Sequence, residues 1–251
     1  MSHITLITGG SRGLGRNTAL SIARRGGDVL FTYRSRADEA EALVAEIEGM
    51  GRKARAFQLD TSKIETFPAF ADSVKSALQE TWQRDSFDHL VNNAGHGTNA
   101  PIAEFTEEQF DALVNVHLKG VVFLTQALLP LIADGGRIVN ISSGLTRMVF
   151  PGYGIYAAAK GAVEVLTRYM AKEFGARGIA VNTVAPGAIE TDFGGGAVRD
   201  TPGLNQQIAN MTALGRVGVP DDIGPMIATL LSPDNRWINA QRIEVSGGQG
   251  L

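Results

Sequence analysis

Tyr156 and Lys160 stand four residues apart, with the pair Ser142 and Ser143 shortly upstream. At i and i+4 of a helix a tyrosine and a lysine share one face. A free phenol titrates near ~10 and is a poor proton donor and acceptor at neutral pH. An ammonium ~4 Å away favours the phenolate by roughly 4 kcal/mol at an effective dielectric of ~20. That is about three pKa units, enough to bring the phenol close to the working pH. With a serine hydroxyl to hold a carbonyl oxygen, such a pair can reduce a ketone or oxidise an alcohol. The run Tyr156-Ala157-Ala158-Ala159-Lys160 is also a plain helix former. The rest of the chain must therefore decide between the two readings.

A second group of residues points to a phosphate ligand. Thr8-Gly9-Gly10-Ser11-Arg12-Gly13-Leu14-Gly15 follows an apolar run and opens a helical one. Glycines between a strand and a helix permit a tight turn and close approach of backbone to a pyrophosphate, which the helix N-terminus then binds. The next strand-like run ends in Tyr33-Arg34-Ser35-Arg36, with no carboxylate before Asp38. A ribose 2′-hydroxyl usually requires an acid at that place and a 2′-phosphate requires basic residues. Arg34 and Ser35, with Arg12 in the glycine turn, therefore favour NADP(H) over NAD(H); as plain surface charges the arginines would carry no such meaning.

Elements to position these groups alternate along the chain. Strand-like runs occur at Ile4–Thr8, Val29–Tyr33, Ala54–Leu59, His89–Val91, Arg137–Ile141, Ala180–Val184 and Arg242–Val245. Helical patterns lie near 13–25, 36–50, 62–82, 107–133, 156–175 and 220–231. This order predicts βαβ units, a mostly parallel seven-stranded sheet covered by helices on both faces, and ligands at the strand carboxyl ends. One doubly wound α/β domain over 1–251 is expected. The stretch from Gly187 to Val219, with Gly194-Gly195-Gly196 inside it, reads as irregular, and 188–215 as a mobile substrate loop.

Composition narrows the function classes. The chain has 251 residues, 44% of them hydrophobic, and a formal net charge of −3, which gives no electrostatic case for nucleic acid or an anionic membrane. The absence of cysteine excludes disulfides, thiolate-ligated zinc and a cysteine nucleophile. Four histidines show no ligand spacing, so no metal is assigned. The amino terminus lacks a signal-peptide pattern, and Val121–Ala133 reads as too short and too polar to span a bilayer. The expectation is a soluble, cytoplasmic protein.

With these motifs in order, the chain resembles the short-chain dehydrogenase/reductase family over nearly its whole length. Its Thr-Gly-x-x-x-Gly-x-Gly turn stands at Thr8 to Gly15 and its Asn-Asn-Ala-Gly at Asn92-Asn93-Ala94-Gly95. The resemblance implies a Rossmann-like fold in which Gly9, Ser11, Arg12, Gly13, Leu14, Gly15, Asp60, Thr61, Asn92, Ala94, Gly95, Pro186, Gly187, Ile189 and Thr191 bind the cofactor. It places the active-site Asn at Asn115, and the serine thirteen positions before the tyrosine at Ser143; Ser142, its neighbour in an extended run, then faces away. It further implies that Tyr156 donates a proton as NADPH delivers hydride, that Ser143 holds the carbonyl oxygen and that Lys160 binds the nicotinamide ribose and lowers the phenol pKa. Asn115 would hold a water that relays protons, and a homotetramer is the implied assembly.

The segments Arg216–Ile223 and Val245–Gly248 resemble the 3-oxoacyl-acyl-carrier-protein reductase branch, with one departure: Ala240 stands where the family has glycine. Arg137, Arg147, Lys172 and Arg177 are candidates for meeting an acidic carrier protein. Met148-Val149-Phe150-Pro151 is a candidate pocket wall, whereas His96 and His117 read as surface or packing residues and Trp82 and Trp237 as packing residues. The expected activity is reduction of a ketone or 3-oxoacyl carbonyl. An NADP-linked alcohol or sugar dehydrogenase, or a non-catalytic NADPH sensor, are the alternatives. A sensor would have no need of Asn115, Ser143, Tyr156 and Lys160 together.

Overall fold

The computed structural model describes residues 2–251. Seven strands form one parallel sheet in the order β3-β2-β1-β4-β5-β6-β7. They are β1 (Ile4–Ile7), β2 (Asp28–Tyr33), β3 (Ala54–Gln58), β4 (Phe87–Asn92), β5 (Ile132–Ile141), β6 (Ala180–Pro186) and β7 (Arg242–Val245). Side chains alternate between the two faces, and both are covered, so β1 and β6 are buried throughout.

Ile7, Phe31, Val91 and Val139 point to one face, where they meet α1 (Gly13–Arg24), α2 (Ala37–Gly49) and α9 (Pro220–Leu230) through Leu20, Leu43, Ile47, Ile223 and Ile227. Leu6, Leu30, Leu90, Ile138 and Val181 point to the other, against α3 (Phe67–Trp82), α5 (Gly120–Leu128) and α6 (Gly154–Glu173) through Phe70, Val74, Leu78, Leu124, Leu128 and Met170. Strand order reverses at β1, which pairs with both β2 and β4, and the crevice at their carboxyl ends is where such sheets bind ligands.

The expected helix over 107–133 is broken. A capping box of Thr106 and Gln109 starts α4 (Glu107–Val114), a π-helical turn spans Asn115–Lys119, and α5 follows. The extra residue per turn rotates the faces of the two halves relative to each other. By length and composition Glu107–Leu131 would pass for a membrane span, with mean hydropathy 1.5, contrary to the expectation for its second half. Leu113, Leu124 and Leu128 of this run are nevertheless fully buried inside the molecule.

The expected irregular stretch after Gly187 is also corrected. It holds α7 (Ala197–Asp200) and α8 (Pro202–Asn210), and Ile208, Ala209 and Val217 form a small apolar cluster of their own. Pro202 at the first helical position favours the start of α8. Two further details depart from expectation. Trp237 is 96% exposed rather than packed, whereas Trp82 Nε1 donates to Asp28 at 3.0 Å. Ala240 adopts φ 60°, the left-handed conformation that explains a glycine at this place and costs a non-glycine residue about 1–2 kcal/mol.

Candidate active site

The glycine turn is held from the neighbouring strand. Thr8 Oγ1 accepts from the backbone N–H groups of Asn93 and Ala94, both at 2.9 Å, and Asn93 Nδ2 donates to the carbonyls of Thr8 and Gly9 at 2.8 and 3.0 Å. Asn93 is thus the side chain of its motif that shapes the turn. The Asn92 amide donates to Thr125 and to Asn140 in a buried network that continues to Thr167. Gly9 and Gly13 have φ of 64° and 54°, and a Cβ on Gly15 would strike the Gly9 carbonyl. Ser11 is buried, and Leu14 packs into the core beside Ile189.

Helix α1 starts without a side-chain cap and without an acid in its first turn, so its first N–H groups remain available to an anion. Thr191 closes the cleft opposite, 3.8 Å from where a Gly13 Cβ would stand. Between them, Gly187 N donates to Val245 at 3.0 Å after Pro186 ends β6. This donor set fits a dinucleotide pyrophosphate.

At the end of β2, Arg36 is paired with Asp38 and Glu39, at 3.7 and 2.9 Å, and Arg16 with Glu46. Arg12 and Arg34, both exposed, have no carboxylate partner among the described residues; Ser35 is exposed beside them. Past β3, Asp60 accepts from Ser62 N at 3.0 Å and Ser62 Oγ at 2.7 Å. Burial pushes the Asp60 carboxyl up, but these bonds and the charge of Arg34 outweigh it and hold the pKa below the usual carboxylate range. Thr61 is buried with its carbonyl against Gly120, which has no room for a Cβ.

At the carboxyl end of β5, Ser142 turns away from the cleft, as extended alternation requires, and its hydroxyl donates to Glu164 at 2.7 Å. Ser143 lies close enough to Tyr156 for its hydroxyl to act on the phenol, and its Oγ accepts from Leu145 N at 3.2 Å. Glu164 also accepts from Thr146 at 2.8 Å and Arg242 at 2.8 Å, tying the serine segment to α6 and β7. Tyr156 and Lys160 share one face of α6, only 6% and 4% exposed.

The electrostatics differ from expectation. Burial raises the Tyr156 pKa above that of a free phenol, against the opposing effect of the Ser143 hydroxyl. Burial lowers Lys160 to about 7. The amine donates to the Ile141 carbonyl at 2.7 Å and stands 5.8 Å from the centre of the phenol ring. The ammonium does not bring the phenol down because desolvation penalises both charged forms. In the protein without nucleotide, then, the phenol is a protonated acid at neutral pH.

A stability prediction follows for Lys160. Below about pH 7 the folded and unfolded chains both hold the proton, and the cost of burying the ammonium is felt in full. Between about 7 and the ordinary lysine value of 10.5 only the unfolded chain binds it, so stability rises with pH across that window and levels off above it. Lys160→Met should therefore raise the melting temperature of the nucleotide-free protein at pH 6, by several degrees, and much less at pH 10. Equal melting temperatures of variant and wild type at pH 6 would refute the buried charge.

The π-helical turn places its residues differently from the sequence expectation. His117 is fully buried, its ring 5.1 Å from that of Tyr156 at an interplanar angle of 88°. A Cβ on Gly95 would meet its Cε1 at 2.6 Å, so Gly95 serves this packing. Asn115 opens the same turn two residues earlier and is half-buried. His117, set aside as packing or surface, is the buried group that touches the phenol.

Phe193 covers Tyr156 from the other side, ring centres 5.6 Å apart, and lies against Gly97, where a Cβ would meet it at 2.8 Å. The tyrosine is thus enclosed by aromatic rings at the mouth of the cleft, beside the exposed Ile102. Of the expected wall, Val149 is 92% exposed and Met148 lies under Gly250. A surface hollow of about 580 Å³ lies between Arg147 and C-terminal residues from Glu244 to Leu251, and none of Ser143, Tyr156 and Lys160 lines it.

Three of the four basic candidates are bound internally. Arg147 donates to Glu244 at 2.9 and 2.6 Å, Arg177 to Asp134 at 2.7 Å, and Arg137 to the Leu230 carbonyl at 3.4 Å.

Comparison with known proteins agrees with this geometry. Residues 9–249 match the family model described as enoyl-(acyl carrier protein) reductase. The chain is 35% identical to the hydroxynaphthalene reductase-like protein Arp2 of Metarhizium brunneum, over 98% of this chain and 94% of that one. Among solved structures it resembles the promiscuous reductase LugOII, which catalyses keto-reduction at C1 during lugdunomycin biosynthesis: 37% identity, TM-score 0.92, 98% of this chain and 96% of that one. The angucycline C-6 ketoreductase LanV with bound NADP is 34% identical, with TM-score 0.92 over 98% and 95% of the two chains.

Proposed function

The chain belongs to the short-chain dehydrogenase/reductase family, and from that premise we propose that it is an NADPH-dependent reductase of an apolar, ring-containing ketone. The observation that carries this reading is the meeting of Ser143, Tyr156 and Lys160 under Phe193, at the strand ends that also hold the glycine turn. NADP in the LanV structure supports the cofactor, as do the unpaired Arg12 and Arg34.

The nucleotide, when bound, supplies hydride. The glycine turn and α1 would hold its pyrophosphate, Arg12 and Arg34 its 2′-phosphate, and Lys160 its nicotinamide ribose. Ser143 Oγ donates a hydrogen bond to the substrate carbonyl, and Tyr156 gives its phenolic proton to the same oxygen. Both donors are fixed before charge develops, the usual origin of the largest electrostatic gain. The buried, protonated phenol is the form that can give a proton to a carbonyl oxygen.

Phe193, 41% exposed over the Tyr156 ring, suits a flat apolar substrate. The internal ties of Arg137, Arg147 and Arg177 argue against a docking face for an acidic acyl carrier protein. The clustering of Ser143, Tyr156 and Lys160 argues against a non-catalytic sensor. NADPH consumption with fused-ring ketones, 3-oxoacyl thioesters and simple aliphatic ketones tests the reading. Fused-ring ketones should give the highest kcat/KM, and a preference for thioesters would overturn the substrate class.

The same premise carries the assembly. Phe110, Phe123, Val165 and Tyr169 on α4, α5 and α6 are 45, 40, 46 and 64% exposed. Val165 and Tyr169 form one stripe at i and i+4. Such apolar helix faces fit the closed interfaces of a homotetramer. Light scattering should report about 106 kDa, four copies of the 26.6 kDa chain, and a monomer mass would refute the assembly.

A further inference from the structure

His117 has one nitrogen whose role the reaction above leaves unassigned. Its Nε2 lies 2.7 Å from the His96 carbonyl oxygen. The His96 N–H also lies 3.3 Å from Nε2, but the shorter contact is to an oxygen that only accepts, so Nε2 carries the hydrogen and Nδ1 presents a bare lone pair. Nδ1 is buried and has no hydrogen-bond partner among the described residues. A buried acceptor left without a donor costs free energy, and such sites commonly hold water. The ring stands edge-on to Tyr156, 88° from its plane, and close enough to Lys160 for the lysine charge to act on it. Burial, then that charge, keep its pKa well below the ordinary histidine value, so the ring is neutral at working pH. The titratable groups that face it are Lys160 and Tyr156 from α6 and His96 from the segment after β4.

We propose that His117 is a positioning residue whose Nδ1 accepts a hydrogen bond from a water that returns protons from solvent to Lys160. The proposal rests on the reading of the chain as a carbonyl reductase. In each turnover hydride adds two electrons to the carbonyl carbon and the Tyr156 proton goes to its oxygen. The phenolate regains a proton from the Lys160 ammonium, the amine takes one from the water, and the water regains it from bulk solvent. His117 gains and loses none. Its bare nitrogen fixes where the water sits, the place sequence reasoning gave to an amide at Asn115.

Two substitutions separate this role from packing. His117→Leu keeps apolar volume and removes the acceptor, whereas His117→Asn keeps a small acceptor. His117→Leu should bind NADPH as the wild type does, by fluorescence titration, and keep its KM for the ketone. Its kcat should fall at least roughly tenfold, with a loss that deepens as pH rises and proton return becomes limiting. His117→Asn should recover kcat to within a few-fold. In the nucleotide-free protein, 15N spectra of labelled histidine should show a neutral ring with hydrogen on Nε2. Wild-type kcat in His117→Leu, equal impairment of both variants, or hydrogen on Nδ1 would overturn the proposal. A wild type that reduces no ketone at all would instead remove the functional reading, and this inference with it.

Discussion

Tyr156→Phe should lower kcat by ~10²-fold or more, because positioned general acids contribute ~10²–10⁴-fold, and should leave NADPH binding intact. The substitution removes one hydroxyl from a side chain that is 6% exposed and packed between His117 and Phe193. Phenylalanine keeps both ring contacts, so the fold and the cleft persist. What disappears is the proton for the substrate oxygen. Burial holds the phenol above its ordinary value, so the wild-type rate of reduction should show no loss from phenol ionisation across neutral pH. The measurement is kcat with a fused-ring ketone beside a fluorescence titration with NADPH. Retention of more than roughly a tenth of wild-type kcat would make general acid catalysis by Tyr156 untenable.

Much of this arrangement was legible in the sequence because it is written in alternation and in glycine. Largely apolar and β-branched runs such as Ile4–Ile7 and Ala180–Pro186 specify strands covered on both faces, and the seven expected strands are the seven observed. Ser143 was separable from Ser142 because extended residues alternate. The unread parts depend on facing and on desolvation. Nothing in the pattern of 107–133 marks the π-helical turn at Asn115–Lys119, which carries His117 against Tyr156. Helix α8 was hidden because Asn205, Gln206 and Asn210 dilute its apolar face, of which only Ile208 and Ala209 are buried. Asn92 has the right residue type in the right motif, yet its amide turns into the sheet network with Asn140. The phenol pKa was misjudged because spacing along a helix gives proximity and says nothing about burial, which opposes the ammonium as much as the phenolate.

Arg34→Ala should cost roughly 10- to 150-fold in kcat/KM for NADPH and leave NADH use nearly unchanged, the loss expected for one charged hydrogen bond of ~1.5–3 kcal/mol. The structure narrows the choice of residue. Arg36 is engaged by Asp38 and Glu39 and Arg16 by Glu46, so neither is free to meet a 2′-phosphate without breaking an ion pair. Arg34 carries no such partner among the described residues, and its charge reaches the Asp60 carboxyl at the end of the neighbouring strand. Arg12 approaches from the glycine turn and should show a similar but independent loss. Tyr33 precedes Arg34 at the strand end, half-buried against the core. Tyr33→Asp would place a carboxylate where a ribose 2′-hydroxyl can be held and should turn preference toward NADH. Because that change also removes core packing, its melting temperature must be followed beside its kinetics. The readout is kcat/KM for both nucleotides in wild type and the two variants. Equal wild-type use of NADH, or equal loss with both nucleotides in Arg34→Ala, would show that the two arginines are surface charge and that another feature selects the cofactor.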